Sequence, residues 1–303
     1  MGHLEAVVFA NNSSPKELFD NYFYLNRHIY FHVLAASTTL VRGMDQEMLI
    51  SLGVPLLDKL LPKGIWRNSF VLIAGEGGTG KTYILQQIAA SILQRGEPVI
   101  YLALDDDPAD IIASLELRGI ELKRFLEEGR LVFIDGYGGR YGYETEAPVA
   151  ERLRSLDIHA AVSTITRVLD SNKVSNKGAI ILDSLNPFFQ WHDTNMVYDF
   201  VNMLRILVAK KRNIPVFATL HTPTQLYADI AATMEYMVDV FIVTRYHAAA
   251  MEAGYSVKEI LVKKARGVPV AYGWVPFMIT DKGLEEVRIR VRLPGQATAS
   301  GQQ

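Results

Sequence analysis

A chain of 303 residues that is 49% hydrophobic can bury a substantial core, in one large domain or two modest ones. Its net charge of −2 gives no global reason to expect nucleic acid or an anionic membrane as a partner. With no cysteine, disulfides, thiolate zinc sites and cysteine nucleophiles are excluded.

No secretory pattern follows Met1, and no segment is long enough to cross a membrane, so no membrane insertion is expected. The apolar stretch His28–Val41 is broken by His32, Ser37, Thr38 and Thr39. Ser14 and Pro15 mark a helix start, and Tyr22, Phe23, Tyr24 and Tyr30 suit that segment to packing on a core or a neighbour. Ser69–Ala74 (SFVLIA) reads as a buried strand, and Tyr83–Ala90 opens a helix. Pro98–Leu104 (PVIYLAL) is a second continuous apolar run, the pattern of a strand buried on both faces. Pro108–Arg118 reads as a helix, Arg130–Asp135 as a strand and Gly136–Glu146 as a glycine- and tyrosine-rich loop. A helix over Ala147–Leu169, a strand over Gly178–Asp183 and a helix over Tyr198–Arg212 follow, the last closing on Lys210-Lys211-Arg212 as the helix dipole favours. Pro215–Leu220 and Val238–Thr244 complete the alternation. This rhythm predicts an α/β fold whose central sheet is mostly parallel and flanked by helices. Beyond Lys258, short strands over Ile260–Lys264, Trp274–Ile279 and Val287–Val291 predict an antiparallel edge. Pro294–Gln303 is small and polar, a tail.

The run Gly75-Glu76-Gly77-Gly78-Thr79-Gly80-Lys81-Thr82 fills the template G-x-x-x-x-G-K-[ST] between a strand and a helix. Its glycines let backbone N–H groups turn inward around phosphates at a helix N-terminus. Lys81 would reach the β- and γ-phosphates and the Thr82 hydroxyl would ligate Mg²⁺, which makes a nucleoside triphosphate the expected ligand. The second half of such a site is a carboxylate at a neighbouring strand end. Asp183, closing AIILD, either holds Mg²⁺ through water or caps the following turn. Asp105-Asp106-Asp107 could supply a water-activating base, one of them with a raised pKa, or start the helix at Pro108. His221 could sense the γ-phosphate or serve only structure. Phe188, Phe189, Trp191 and His192, read as a loop, suit packing better than base stacking. Lys264 and Arg266 share one face of a late strand, either as phosphate ligands in a neighbouring copy or as solvated charge.

With these residues in hand the chain resembles a KaiC-like ATPase of the RecA superfamily from about Leu49 to Val287, in the manner of single-domain archaeal relatives. The likeness rests on Gly53–Leu61 (GVPLLDKLL) ahead of the phosphate loop, on Gly96–Tyr101 (GEPVIY) and on Ile181–Ser184 (ILDS). It continues through Glu235–Asp239 (EYMVD), Arg266-Gly267 and Pro276–Gly283 (PFMITDKG). The resemblance implies a RecA-like P-loop fold and ATP with Mg²⁺ as ligands. Gly75 to Thr82 and Tyr83 would cradle the nucleotide, with Lys81 on phosphate and Thr82 and Asp183 at the metal. Asp105 and Asp106 fall where the family carries two adjacent glutamates that activate water. Lys264 and Arg266 fall where it reaches a neighbour's phosphate, and Asp281 where it reaches the ribose, which implies a ring, commonly a hexamer. Aspartate at both acidic positions shortens each side chain, so slow hydrolysis is expected, and Pro62-Lys63 replaces the glycines usual there. An ATP-gated scaffold with little turnover and a recombinase-like DNA-binding ATPase are the alternatives; nucleic acid is not favoured. The expected organisation is an N-terminal extension over 1–48 that could meet a protein partner, an ATPase domain over 49–291 and a tail over 292–303, in a cytoplasmic protein.

Overall fold

The computed structural model describes residues 48–117, 119–281 and 283–288; the expected segments at either end, and residues 289–291 of the last expected strand, lie outside them. β1 (Leu49–Ile50) pairs antiparallel with β2 (Ile65–Trp66), and α1 (Pro55–Leu60) lies between them. β3 (Phe70–Gly75) then enters the main sheet and passes through the phosphate loop into α2 (Lys81–Gln94). β4 (Val99–Ala103), α3 (Pro108–Glu116), α4 (Lys123–Glu127), β5 (Leu131–Asp135), β6 (Val149–Arg152) and α5 (Ile158–Ser171) follow. Next come β7 (Ala179–Asp183), α6 (Asn186–Trp191), α7 (Thr194–Leu204), β8 (Val216–His221), α8 (Gln225–Met237) and β9 (Val240–Tyr246). The chain closes with α9 (Ala248–Glu252), β10 (Lys258–Ala265), β11 (Val275–Thr280) and β12 (Gly283–Glu286). The main sheet runs in the order β12-β11-β10-β9-β3-β8-β7-β4-β5-β6, parallel from β9 to β6 and antiparallel through β10, β11 and β12.

The central strands read as unbroken apolar runs because helices cover both faces. Phe70, Leu72 and Ala74 enter one core while Val71 and Ile73 enter the other. Likewise Ile100 and Leu102 face one side, and Val99, Tyr101 and Ala103 the opposite one. Alternation of side chains across a strand thus feeds two cores at once.

Three expectations are corrected. Ala147–Leu169 is not one helix: Val149–Arg152 alternates between half-buried and exposed residues and pairs with β5, and the helix begins only at Ile158, where Asp157 caps it by accepting from the Ala160 N–H at 2.7 Å. Among the described residues the last strand is Gly283–Glu286, and residues 287 and 288 of the expected strand Val287–Val291 lie outside it, because the pairing of Thr280 with Gly283 fixes the register. Phe188 to Trp191 belong to the short helix α6 instead of a loop. Phe188 is fully buried with its ring 4.4 Å from that of Phe200, and Phe189 packs against Tyr198 and Tyr227.

At the end of the sheet opposite the phosphate loop, the buried Asp239 gathers charge. It accepts from the Phe70 N–H at 3.0 Å and from Arg205 at 3.0 and 2.7 Å, and Lys210 stands 3.4 Å away. Arg205–Lys210 is a π-helical segment following α7, and its i→i+5 repeat brings two residues five apart over one carboxylate. Burial opposes ionisation here, but these donors overcome it and hold the Asp239 carboxyl below its ordinary range. Asp239→Ala, which strands Arg205 against the core, is expected to lower the unfolding free energy by roughly 3 kcal/mol in urea titrations at neutral pH. Because the folded pKa is depressed, this contribution is full above the ordinary carboxylate value of about 4 and fades as pH falls through the folded value, so wild type and variant converge in acid.

Candidate functional site

Strand order decides which side chains meet. β3, β8, β7 and β4 are consecutive neighbours, and their C-terminal ends carry the phosphate loop, His221, Asp183 and Asp105 in that order. Gly75 stands level with His221, and Ala103 with Asp183. With strands about 4.8 Å apart, the whole row spans roughly 15 Å. Residues far apart in the chain thus meet at one end of the sheet, where open α/β sheets place their ligands.

The loop itself is shaped by its neighbours. Gly80 caps α2 with φ +91°, a conformation that other residues rarely adopt, and a Cβ there would lie 2.9 Å from Ile279. Gly78, with φ +74°, lets the Tyr246 hydroxyl approach to where a Cβ would stand only 2.4 Å from it. Thr79 hydrogen-bonds Thr244 Oγ1 at 2.7 Å and also the Glu76 carbonyl at 2.7 Å, tying the loop to β9. These contacts hold the backbone ready for an anion before one arrives.

Lys81 is 2% exposed and its ammonium donates to the Glu76 carbonyl at 2.6 Å. Burial lowers its pKa from the ordinary 10.5 to about 8, opposed by Asp183, Asp105 and Glu76. Asp183 is buried among hydroxyls: Tyr101 donates to Oδ2 at 3.0 Å, and Thr219 and Thr82 donate to Oδ1, the latter at 3.3 Å. Burial raises its pKa, with Asp105 adding to the effect and the three hydroxyls opposing it. Burial and the adjacent Asp183 carboxylate together push the Tyr101 phenol well above its usual range.

The acidic run divides its roles. Asp107 is the structural member: it is buried, caps α3 through the Ala109 N–H at 2.7 Å and accepts from Thr145. Asp105 lies 3.4 Å from His221 Nε2. The Asp106 carboxyl is raised by partial burial and then by Asp105 and Asp110, against the effect of His221. An open cleft of about 420 Å³ is bounded by Gly78, Gly80, Lys81, Thr82 and Tyr83 on one side and by Asp106, Asp110 and His221 on the other.

The phosphate loop, Tyr83, Asp183, Asp105, Asp106 and His221 are therefore brought together within one copy. Lys264 and Arg266 are not. The antiparallel course of β10 sets Lys264 level with Phe241 and Leu72, toward the start of β3, away from the loop at its end. There Lys264 donates to the Glu235 carbonyl and Arg266 to that of Tyr236 at 2.7 Å, at the C-terminus of α8. Asp281 is exposed and lines a smaller cleft with Tyr83 and Gln87. Sequence reasoning missed Tyr101 and Thr219, the partners of Asp183. Each is a polar-tipped residue inside an apolar strand, and such a residue must find a hydrogen bond when buried.

Among the described residues no group of three or more histidines and carboxylates is arranged to hold a metal. Nor is any described helix long and apolar enough to cross a membrane.

A protein-family model described as the ATPase KaiC matches residues 50–289. A UPF0273 protein of Thermotoga maritima is 26% identical over 243 residues, which cover 78% of this chain and 94% of that protein. The circadian clock oscillator protein KaiC of Synechococcus elongatus is 24% identical over 263 residues, 86% of this chain but 45% of its own length. Among solved structures, a KaiC-like protein of Pyrococcus horikoshii OT3 superposes with a TM-score of 0.62 at 18% identity, over 79% of this chain and 99% of that one, a likeness of fold.

A buried ammonium whose pKa is depressed destabilises the ligand-free fold at neutral pH. Lys81→Met is therefore expected to raise the thermal midpoint by a few degrees at pH 7. The sign follows from the lowered value: the wild type regains stability as pH rises from about 8 toward 10.5, so the two melting curves converge there.

Proposed function

The chain belongs to the KaiC ATPase family, and from that premise we propose that it binds ATP with Mg²⁺ over Lys81 and hydrolyses it slowly, the nucleotide lying between copies in a ring. The observation that carries this reading is the convergence of the phosphate loop, His221, Asp183 and Asp105 at four adjacent strand ends, over a cleft lined by Lys81, Thr82, Asp106 and His221. Asp183, Asp105 and Glu76 act on the Lys81 ammonium, Asp106 and Asp110 line the same cleft, and a triphosphate adds further negative charge. Such a site accepts the ligand only with a divalent cation. The Thr82 hydroxyl and the Asp183 carboxylate are hard oxygen donors suited to Mg²⁺, which takes few protein ligands when phosphates and water complete its shell. The bound cation would neutralise phosphate charge and polarise the reacting phosphoryl oxygens.

Asp105 and Asp106 hold and orient the attacking water, and His221, beside Asp105, reads the state of the γ-phosphate. Lys264 and Arg266 serve a neighbouring copy's phosphates, in keeping with their place toward the start of β3 in their own chain, and Asp281 serves its ribose. A hexamer is the favoured assembly. Residues 49–291 form the ATPase domain, residues 1–48 supply a contact for a protein partner, and residues 292–303 are a tail. A second reading, an ATP-gated scaffold with little turnover, is favoured by the short aspartates and by the contact of Asp105 with His221. The burial of Phe188 and the packing of Phe189 speak against base stacking by that pair.

ATP turnover with Mg²⁺ tests the proposal. Lys81→Ala is expected to abolish it, and the Asp105→Asn/Asp106→Asn pair to lower it about 100-fold or more while nucleotide still binds. Arg266→Ala alone is expected to be inactive, yet mixing it with Lys81→Ala protein restores part of the turnover, since each supplies what the other lacks. Failure of that mixing, with light-scattering mass unchanged by nucleotide, would remove the shared site. Binding that depends on Lys81 without turnover would leave the scaffold.

A further inference from the structure

A second pocket, of about 370 Å³, opens between the loop after β5, the turn before α5 and the end of α6. Its walls are fixed. The Asp135 carboxylate accepts from the N–H groups of Tyr137, Gly138 and Gly139 at 2.9, 2.9 and 3.1 Å, which sets the course of the first loop. Asp157 is occupied as the cap of α5. His192 donates from Nε2 to the Leu156 carbonyl at 2.7 Å, which leaves Nδ1 as an acceptor.

On this frame the chain displays two aromatic rings and two guanidinium groups. Trp191 is 67% and Tyr141 72% exposed, although rings of that size are ordinarily covered. The Arg140 guanidinium lies 5.4 Å from the Tyr141 ring centre and donates to the Leu104 carbonyl at 3.0 Å, while its Nε is buried with no partner. Arg154 is exposed and, among the described residues, has no ion-pair partner. Two guanidinium groups and two exposed aromatic rings thus line one pocket.

We propose that this pocket binds a small aromatic phosphate, its ring against Trp191 and Tyr141 and its anion on Arg140 and Arg154. A volume of this size suits a single ring with one phosphate. Guanidinium forks match phosphate oxygens in pairs, and the aromatic face adds stacking, so neither half of the ligand suffices alone. Asp157, the one carboxylate in the lining, disfavours a ligand with several charges at that wall. None of its lining residues lines the nucleotide cleft.

The test titrates phenyl phosphate, inorganic phosphate and phenol into the full-length protein while following tryptophan fluorescence, with Trp66 and Trp274 as the remaining reporters. Phenyl phosphate is expected to give a saturable change that vanishes in Trp191→Phe, weakens about tenfold or more in Arg154→Ala and persists in Lys81→Ala. Inorganic phosphate and phenol should bind at least about tenfold more weakly. Saturation-transfer NMR on Trp191→Phe, whose fold is checked by circular dichroism, should still detect the ligand, more weakly. An unchanged affinity in Arg154→Ala, loss of binding in Lys81→Ala, or no saturation up to about 5 mM would each overturn the assignment.

Discussion

The arrangement turns on one buried carboxylate. Asp183 ends a strand in the middle of the sheet, where an unpartnered ion would cost several kcal/mol. Three hydroxyls from three different elements make it tenable: Tyr101 of β4, Thr219 of β8 and Thr82 of α2. Each of those elements is thereby held at a defined height against β7. The backbone repeats the link, since the N–H groups of Leu104 and Asp105 both donate to the Asp183 carbonyl, at 2.9 and 3.2 Å. The acids that follow β4 thus take their position from Asp183.

The electrostatics follow from the same crowding. Lys81 is pushed toward neutrality by burial, while Asp183 and Asp106 are pushed toward protonation. Opposite shifts on neighbouring acids and a base describe a site whose charges are unbalanced by themselves. The phosphate loop in this setting, with a lysine and several carboxylates crowded at one cleft, reads as more than a flexible turn.

Much of this was legible in the chain. The continuous apolar runs gave the parallel strands because burial on both faces leaves no polar alternation, and the phosphate loop is specified by glycines whose φ values no other residue takes readily. What escaped were features that depend on partners distant in sequence. β6 is a strand only because β5 lies beside it, and its four residues carry too weak a pattern to outweigh a long helical stretch. The helix α8 went unassigned although it forms one side of the core, with Ile230, Ala231 and Met234 buried. The roles of Tyr101 and Thr219 were hidden in the same way: a hydroxyl in a strand shows a need for a partner without saying which.

Among the described residues, both rims of the main sheet are short and charged. β6 meets its neighbour through a register shift and presents Glu151 and Arg152, with Glu151 held by Arg167 at 3.1 Å. At the other rim β12 is four residues long and carries Glu285 and Glu286, the latter paired with Lys59 at 2.6 Å. Short, charged and irregular edges repel edge-to-edge addition. A ten-stranded sheet with such margins resists amyloid-like stacking of copies, and leaves loops and helix faces as the surfaces through which this fold can join another molecule.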